Sequence, residues 1–343
     1  MESLRNNRIF LFIFFGIIFI CLSFGVLLKG PIKVSLQDLF SYFFNDLSEP
    51  LIKDVIHEIR IPKTVTAIFA GASLATSGLL MQTFFQNPLA GPFILGIQSG
   101  SSLGVALWVM GLKFLPFELH SMFHKFGITL SSISGGLLVL IILFLLSLKI
   151  TGKLILLIIG LLFSYISSGI INILSLLSEA SELKNFFLWS QGSFQRVTLS
   201  ELPIFCSFSL FGLLICLTLI RPLNIMLLGD NYARSSGLST EKMKFLLILL
   251  TALLAGLVTS FCGPVAFLGV LVPHMARKIF GTGDHRFILP AVMLIGASLA
   301  LLSELISSFG DNITLPLNAI LGLIGIPVLF IFLWQGRKNE VFQ

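Results

Sequence analysis

Charge is what this chain has least of. Asp, Glu, Lys and Arg make up 11% of the residues against 56% hydrophobic, and the mean hydropathy is +1.00. That composition cannot cover a water-soluble surface, so it implies a multi-span membrane protein. Cysteine is scarce too. Cys21, Cys206, Cys216 and Cys262 all sit in apolar runs without metal-ligand spacing, so they read as small core residues and no metal site is expected. There is no His-Glu-x-x-His string. A phosphate loop is also missing: Leu154 follows Gly152-Lys153 where Ser or Thr is needed, so this chain is not expected to bind ATP itself. The net charge of +6 is scattered over loops without forming a basic patch, which sets nucleic acid aside.

Long apolar runs fill the rest. They predict an all-α membrane protein, a single transmembrane domain over 1–343 with ten transmembrane helices at 9–28, 61–85, 92–111, 127–148, 154–177, 202–220, 243–262, 264–280, 287–308 and 315–335. The first run follows Arg5 and Arg8 and is too long for a secretion signal, with no small-residue cleavage site after it. An even number of spans leaves both termini on one side. Arg5, Arg8, Lys149, Lys153, Arg221, Arg234 and Lys242 flank the short loops of that side and mark it as cytoplasmic. On the other side, Val34–Phe44 and Leu51–Arg60 read as two surface helices, and 178–200 as an excursion with a short helix and a turn at Gln191-Gly192.

The exception to the oiliness is 221–244, RPLNIMLLGDNYARSSGLSTEKMK. Hydrocarbon does not hold Asp230, Arg234, Glu241 and Lys242 together, since each buried charge costs about 2.5 kcal/mol or more. The segment therefore lies in water. It also reads as structured: Gly229 stops one helix, Asp230 caps a short helix Asn231–Ser236, Gly237 ends it and Ser239 caps the next span. Two short helices with glycine joints between two spans form a docking surface for a soluble motor protein.

A second pattern is an internal echo. GPFILG at 91–96 resembles GPVAFLG at 263–269, each following a span rich in small residues. The copies lie in spans three and eight. Five spans apart means opposite orientation, so two inverted five-helix halves are expected, framing a substrate path. Small residues in spans two and three allow close helix packing, while Ser77, Gln82, Gln98 and Ser99 add amides and hydroxyls suited to a wet path. Asn87-Pro88-Leu89 reads as a constriction at the inner end. Gly100-Ser101-Ser102-Leu103-Gly104 matches a nucleophile string and His274 stands elsewhere, but a nucleophile elbow needs a strand-to-helix turn and these residues lie mid-span, so an intramembrane serine protease is remote. An ion-coupled transporter would carry a mid-span acid or base, and none stands out.

The strings RIPKTVTAIFAGASLATSGLLMQTFFQNPLAGPFILGIQSGSSLG, LLGDNYARSSGL, CGPVAFLGVLVPHMAR and LPLNAILGLIGIPVLFIFLW, in that order, resemble the permease subunits of the iron-chelate and cobalamin ATP-binding-cassette (ABC) importers. The resemblance implies a homodimer in a bacterial inner membrane, two cytoplasmic ATPase subunits carrying ATP and Mg, a periplasmic or lipoprotein substrate-binding protein outside, and surrounding lipid. It implies no enzymatic activity in this chain. An iron complex, siderophore or haem, is the expected cargo, with cobalamin the alternative. By the same resemblance Leu228, Gly229, Asp230, Ala233, Arg234, Ser236 and Gly237 form the ATPase-coupling site, Asn87, Pro88 and Leu89 the inner gate, and Arg60 and Lys63 a basic pair that meets acids of the binding protein. The chain departs from the family where Glu304, Ser308 and Thr314 replace an Asp, an Arg and a Glu.

Overall fold

The computed structural model describes residues 2–44, 49–111, 127–149, 153–308 and 315–336, so Gly152 and Thr314 fall outside it. The described residues are helical throughout, with no strand. The helices are α1 (Glu2–Leu28), α2 (Leu36–Phe43), α3 (Pro50–Asp54), α4 (Ile61–Phe85), α5 (Ile97–Gly111), α6 (Gly127–Lys149), α7 (Lys153–Leu177), α8 (Ala180–Ser190), α9 (Leu202–Thr218), α10 (Ile220–Met226), α11 (Asp230–Ser235), α12 (Thr240–Cys262), α13 (Leu268–Phe280), α14 (His285–Ser307) and α15 (Leu317–Gly336). Among the described residues six helices are long and apolar enough to cross a membrane, and a seventh arises if α9 and α10, bent by 58°, count as one. The ten expected runs all appear as helices, but α5 and α13 are short because each starts after a break at a Gly-Pro pair. The echo survives in the backbone: Gly96 (φ +70°) stands directly before α5 and Phe267 (φ +67°) directly before α13.

The expected surface helix Leu51–Arg60 is not separate. α3 and a π-helical turn, Val55–Arg60, run straight into α4 as one rod, Pro50–Phe85. Pro62 explains the wide turn. It has no N–H to offer the preceding turn, and the Ile61 N–H instead reaches back to the Ile56 carbonyl. α2 forms as its sequence directs. The Ser35 hydroxyl accepts from the Asp38 N–H, and the Asp38 carboxylate accepts from the Ser35 N–H at 2.8 Å, a complete capping box.

The chain divides into two compact units, neither a contiguous half: one drawn from 1–79, 194–220 and 266–343, the other from 80–193 and 221–265. In the first, α4 crosses α14 at Gly71 and Gly296. A Cβ on Gly296 would come within 2.6 Å of both Ala75 Cβ and the Gly71 carbonyl oxygen, so the two backbones touch because neither side chain exists. Gly78 meets Gly269 of α13 in the same way. α1 lies along α14, with the Arg8 guanidinium 4.5 Å from the Phe287 ring centre, and its Phe12 ring meets that of Phe280 of α13 at 4.8 Å, tilted by 56°. Its remaining side, including Phe10, Ile13, Ile17 and Ile20, is exposed, as a lipid-facing helix requires.

In the second unit, α5 backs onto α6 through Gly100 against Gly135 and Gly104 against Ser131. These glycines of the nucleophile-like string are therefore packing residues within a helix. α12 meets α6 through Phe245 and Phe144 at 4.8 Å. The excursion matches expectation: α8 ends at Gln191, Gly192 turns with φ +69°, and the Ser193 N–H bonds the Cys262 carbonyl at 2.8 Å. Replacing Gly71 by Val forces α4 and α14 apart, and overpacking of this kind costs about 1–3 kcal/mol. Thermal unfolding in detergent should show the variant melting below the parent, while Gly16→Val, where a Cβ meets nothing, leaves the melting temperature unchanged.

Candidate functional site

The charged segment is built by torsion. After α10, the Leu228 and Gly229 N–H groups bond back to Ile225 and Met226. Gly229 then takes φ +96°, ψ 160°, a conformation essentially reserved for glycine, and starts α11. Asp230 is thus not the cap, as the sequence suggests. Gly229 holds that position, its carbonyl accepting from the Ala233 N–H at 3.0 Å, and Asp230 becomes the first helical residue, where its charge favours the helix N-terminus. Gly237 (φ +82°) closes the helix, and the Leu238 N–H bonds the Ala233 carbonyl at 3.0 Å. A Cβ on Gly229 or Gly237 would meet nothing within 4 Å, so both glycines are needed for backbone angle and not for space. Ser239 occupies the next cap position without a side-chain bond.

Only one side of this segment is anchored. Ala233 is fully buried, while Leu228 (64%), Tyr232 (53%), Arg234, Ser236 and Gly237 are exposed. Arg234 Nε donates to Thr240 Oγ1 at 3.3 Å, which ties α11 to the start of α12. An apolar tip flanked by a cation and small polar residues is a surface ready for a protein partner.

The turn expected to form the inner gate is bonded to the end of α10, just before the charged segment. Gln86 adopts φ +51°, the Asn87 side chain accepts from the Leu89 N–H at 2.9 Å, and Leu89 is exposed. Gln86 Nε2 donates to the Met226 carbonyl at 3.1 Å. The turn at 86–89 and the end of α10 are thus joined, although 140 residues separate them in the chain.

Arg60 and Lys63 are placed otherwise than expected. Both are buried, at 2% and 4% exposure. Lys63 Nζ lies 3.6 Å from Glu304 Oε1 and 3.4 Å from Ser308 Oγ, and Gln195 Nε2 donates to Glu304 Oε1 at 2.9 Å. Arg60 Nη2 donates to the Ile32 carbonyl at 2.9 Å, with Gly30 flat against its guanidinium. In this conformation neither cation is presented at a surface. Glu304 and Ser308 hold the Lys63 ammonium inside, while the Ile32 carbonyl and Gly30 cover Arg60.

A profile of the FecCD transport family matches residues 15–335, nearly the whole described fold. The chain belongs to this family. It is 31% identical over 98% of its length to a Staphylococcus aureus protein named heme-iron transport system permease IsdF, covering 99% of that relative. It is 32% identical to the hemin transport system permease HmuU of Yersinia pestis, over 94% of this chain and 93% of that one. A solved structure assigned to the metal-chelate type of ABC transporter, in an inward-facing conformation, superposes with a TM-score of 0.81 at 27% identity, covering 94% of this chain and 97% of that one.

Within this FecCD chain the residues expected to line a path are divided. Ser77 and Gln82 are buried, and the Ser77 hydroxyl is spent on the Leu74 carbonyl. Gln98 and Ser99 are half-buried, and Ser99 Oγ donates to Ser164 Oγ of α7 at 2.8 Å. That bond leads to residues the sequence reading missed. Tyr165 (75% exposed), Ser168, Gly169 and Asn172 follow one another at helical spacing on an open face of α7. The signal was available as a Tyr-Ser-Gly-Asn stripe inside an otherwise apolar run.

The Lys63–Glu304 pair makes a measurable demand on stability. Glu304→Ala leaves a buried ammonium without its counter-charge and should destabilise the protein by about 3–5 kcal/mol. The Lys63→Met/Glu304→Leu double variant should recover most of the loss in the same chemical unfolding assay. Equal losses in the two variants would show that the pair does not act as a unit.

Proposed function

We propose that this chain is the membrane-spanning permease of an ATP-driven importer for an iron complex, with haem as the first cargo to test. The observation that carries the reading is that two relatives above 30% identity, each matched over more than nine-tenths of its length, are both named for haem transport. A siderophore is the next cargo, and cobalamin is a less favoured alternative. The chain works as two copies in the bacterial inner membrane with both termini in the cytoplasm. ATP and Mg belong to two separate ATPase subunits, and a substrate-binding protein delivers cargo from outside.

The geometry supports a division of labour. The exposed side of 228–237 is the ATPase contact, through Leu228, Gly229, Asp230, Arg234, Ser236 and Gly237, with Ala233 anchoring it from beneath. Asn87, Pro88 and Leu89 form the inner gate, held to the coupling segment by the Gln86–Met226 bond. The polar stripe Tyr165, Ser168 and Asn172 lines the path, because an exposed amide in mid-membrane requires water, cargo or a second copy rather than lipid. Ser77 and Gln82 support α4 from within. Arg60 and Lys63 become available to acids of a binding protein only when the buried arrangement around Glu304 opens.

The deciding experiment is reconstitution of the chain with its ATPase subunits and binding protein in liposomes. ATP hydrolysis should rise with haem-loaded binding protein, and not with ferric siderophore or cobalamin. Stimulation by cobalamin alone overturns the cargo, and a full ATPase response without the permease overturns the reading as a whole. In the same system Arg234→Glu/Gly237→Val should abolish stimulated hydrolysis and uptake while the protein still inserts. Asn172→Leu should reduce uptake roughly tenfold with ATPase assembly intact, since it replaces a polar path contact worth about 1.4 kcal/mol. Wild-type uptake by either variant removes the corresponding assignment.

A further inference from the structure

α2 has two apolar sides, and the protein uses only one. Leu39 is buried with Val34, Val55 and Ile56, and Leu28 and Ile61 pack against them. On another side Leu36, Phe40, Phe43 and Phe44 are 55%, 56%, 62% and 80% exposed. At about 100° per residue, these four fall in one arc, Gln37, Asp38 and Ser41 in a second, and Leu39 with Tyr42 in a third. The helix therefore has a protein side, a polar side and an oily side bearing three phenyl rings. A helix covered by a soluble partner needs no such third division. A helix in the plane of a bilayer surface, braced by its own protein, does.

Two further observations identify the occupant. Only 29–35 separates α2 from α1, whose Leu27 and Leu28 pack against the Leu39 cluster, and α1 exposes Phe10, Ile13, Ile17, Ile20 and Phe24 along its length, so α2 is held at the end of a helix with an apolar exposed face. A cleft of about 400 Å³ lined by Tyr42, Phe43, Lys53, Asp54 and His57 shares Phe43 with that arc. Its Tyr42 hydroxyl and His57 Nδ1 are 2.7 Å apart, and Lys53 and Asp54 add a cation and an anion. Amphipathic aromatic and basic side chains beside an oily face are the composition of the headgroup layer.

We propose that α2 is an interfacial helix that seats Leu36, Phe40, Phe43 and Phe44 among the acyl chains of the leaflet at the C-terminal end of α1, with the cleft facing phospholipid headgroups. The test uses the full chain with Cys21→Ser and Cys206→Ser. Phe43→Cys or Gln37→Cys is added, labelled with bimane and reconstituted in phosphatidylcholine liposomes. Phosphatidylcholine with a doxyl group on its acyl chain should quench the label of Phe43→Cys roughly threefold more than aqueous iodide does, as partition of an apolar face demands, with the order reversed for Gln37→Cys. Quenching by iodide at Phe43→Cys equal to that at Gln37→Cys overturns the proposal. A label shielded from both quenchers also overturns it and places a second copy of the chain on this face. Phe40→Cys must give the same order as Phe43→Cys and replaces it if that variant does not fold. The readout does not involve transport, so it stands or falls independently of the cargo.

Discussion

A backbone amide without a partner in hydrocarbon costs several kcal/mol, and this constraint shapes the molecule. Most of the chain answers it by being helical. Among the described residues, helices break at 91–96 and at 263–267, and each break finds partners for its backbone. In the first, the Gly96 N–H bonds Phe93 and its carbonyl accepts from Gly100. In the second, the Ala266 N–H finds the Asn318 side chain at 2.9 Å, and Phe267 rests against Gly322 and Gly325 of α15. The polar Asn318 in an apolar helix and its two nearby glycines are there for the break that they cover. At the first break the partners are thus local, and at the second a neighbouring helix supplies one.

The same economy governs charge. The buried ammonium of Lys63 is tolerable because Glu304 and Ser308 at the end of α14 face it, with Gln195 holding the Glu304 carboxylate from a second element. Replacing a buried pair with apolar residues is often neutral in stability. The pair ties the start of α4 to the end of α14.

Much of this was legible in the sequence, for reasons tied to local chemistry. The helical character of apolar runs such as 154–177 followed from their composition, and the Gln191-Gly192 turn and the Gly229 and Gly237 joints followed from residues whose torsions are local. The FecCD assignment followed from motifs in order. What was not legible depended on distant partners. The sequence shows Arg60 and Lys63 beside a loop, and nothing near them announces that Glu304 will pair with Lys63 or that Ile32 and Gly30 will cover Arg60. The polarity of Ser77 and Gln82 suggested water, but burial of α4 depends on the glycines of α13 and α14 that meet it. Asp230 was displaced from its expected cap by one residue because a glycine torsion outranked a carboxylate preference.

The Gln86–Met226 hydrogen bond has a mechanical meaning. A single side-chain amide couples two turns that the chain itself connects only through a long detour, and at 3.1 Å it leaves no slack. A shift of Met226 that keeps this bond carries the Gln86 side chain, and with it the start of the Asn87-Pro88-Leu89 turn, along.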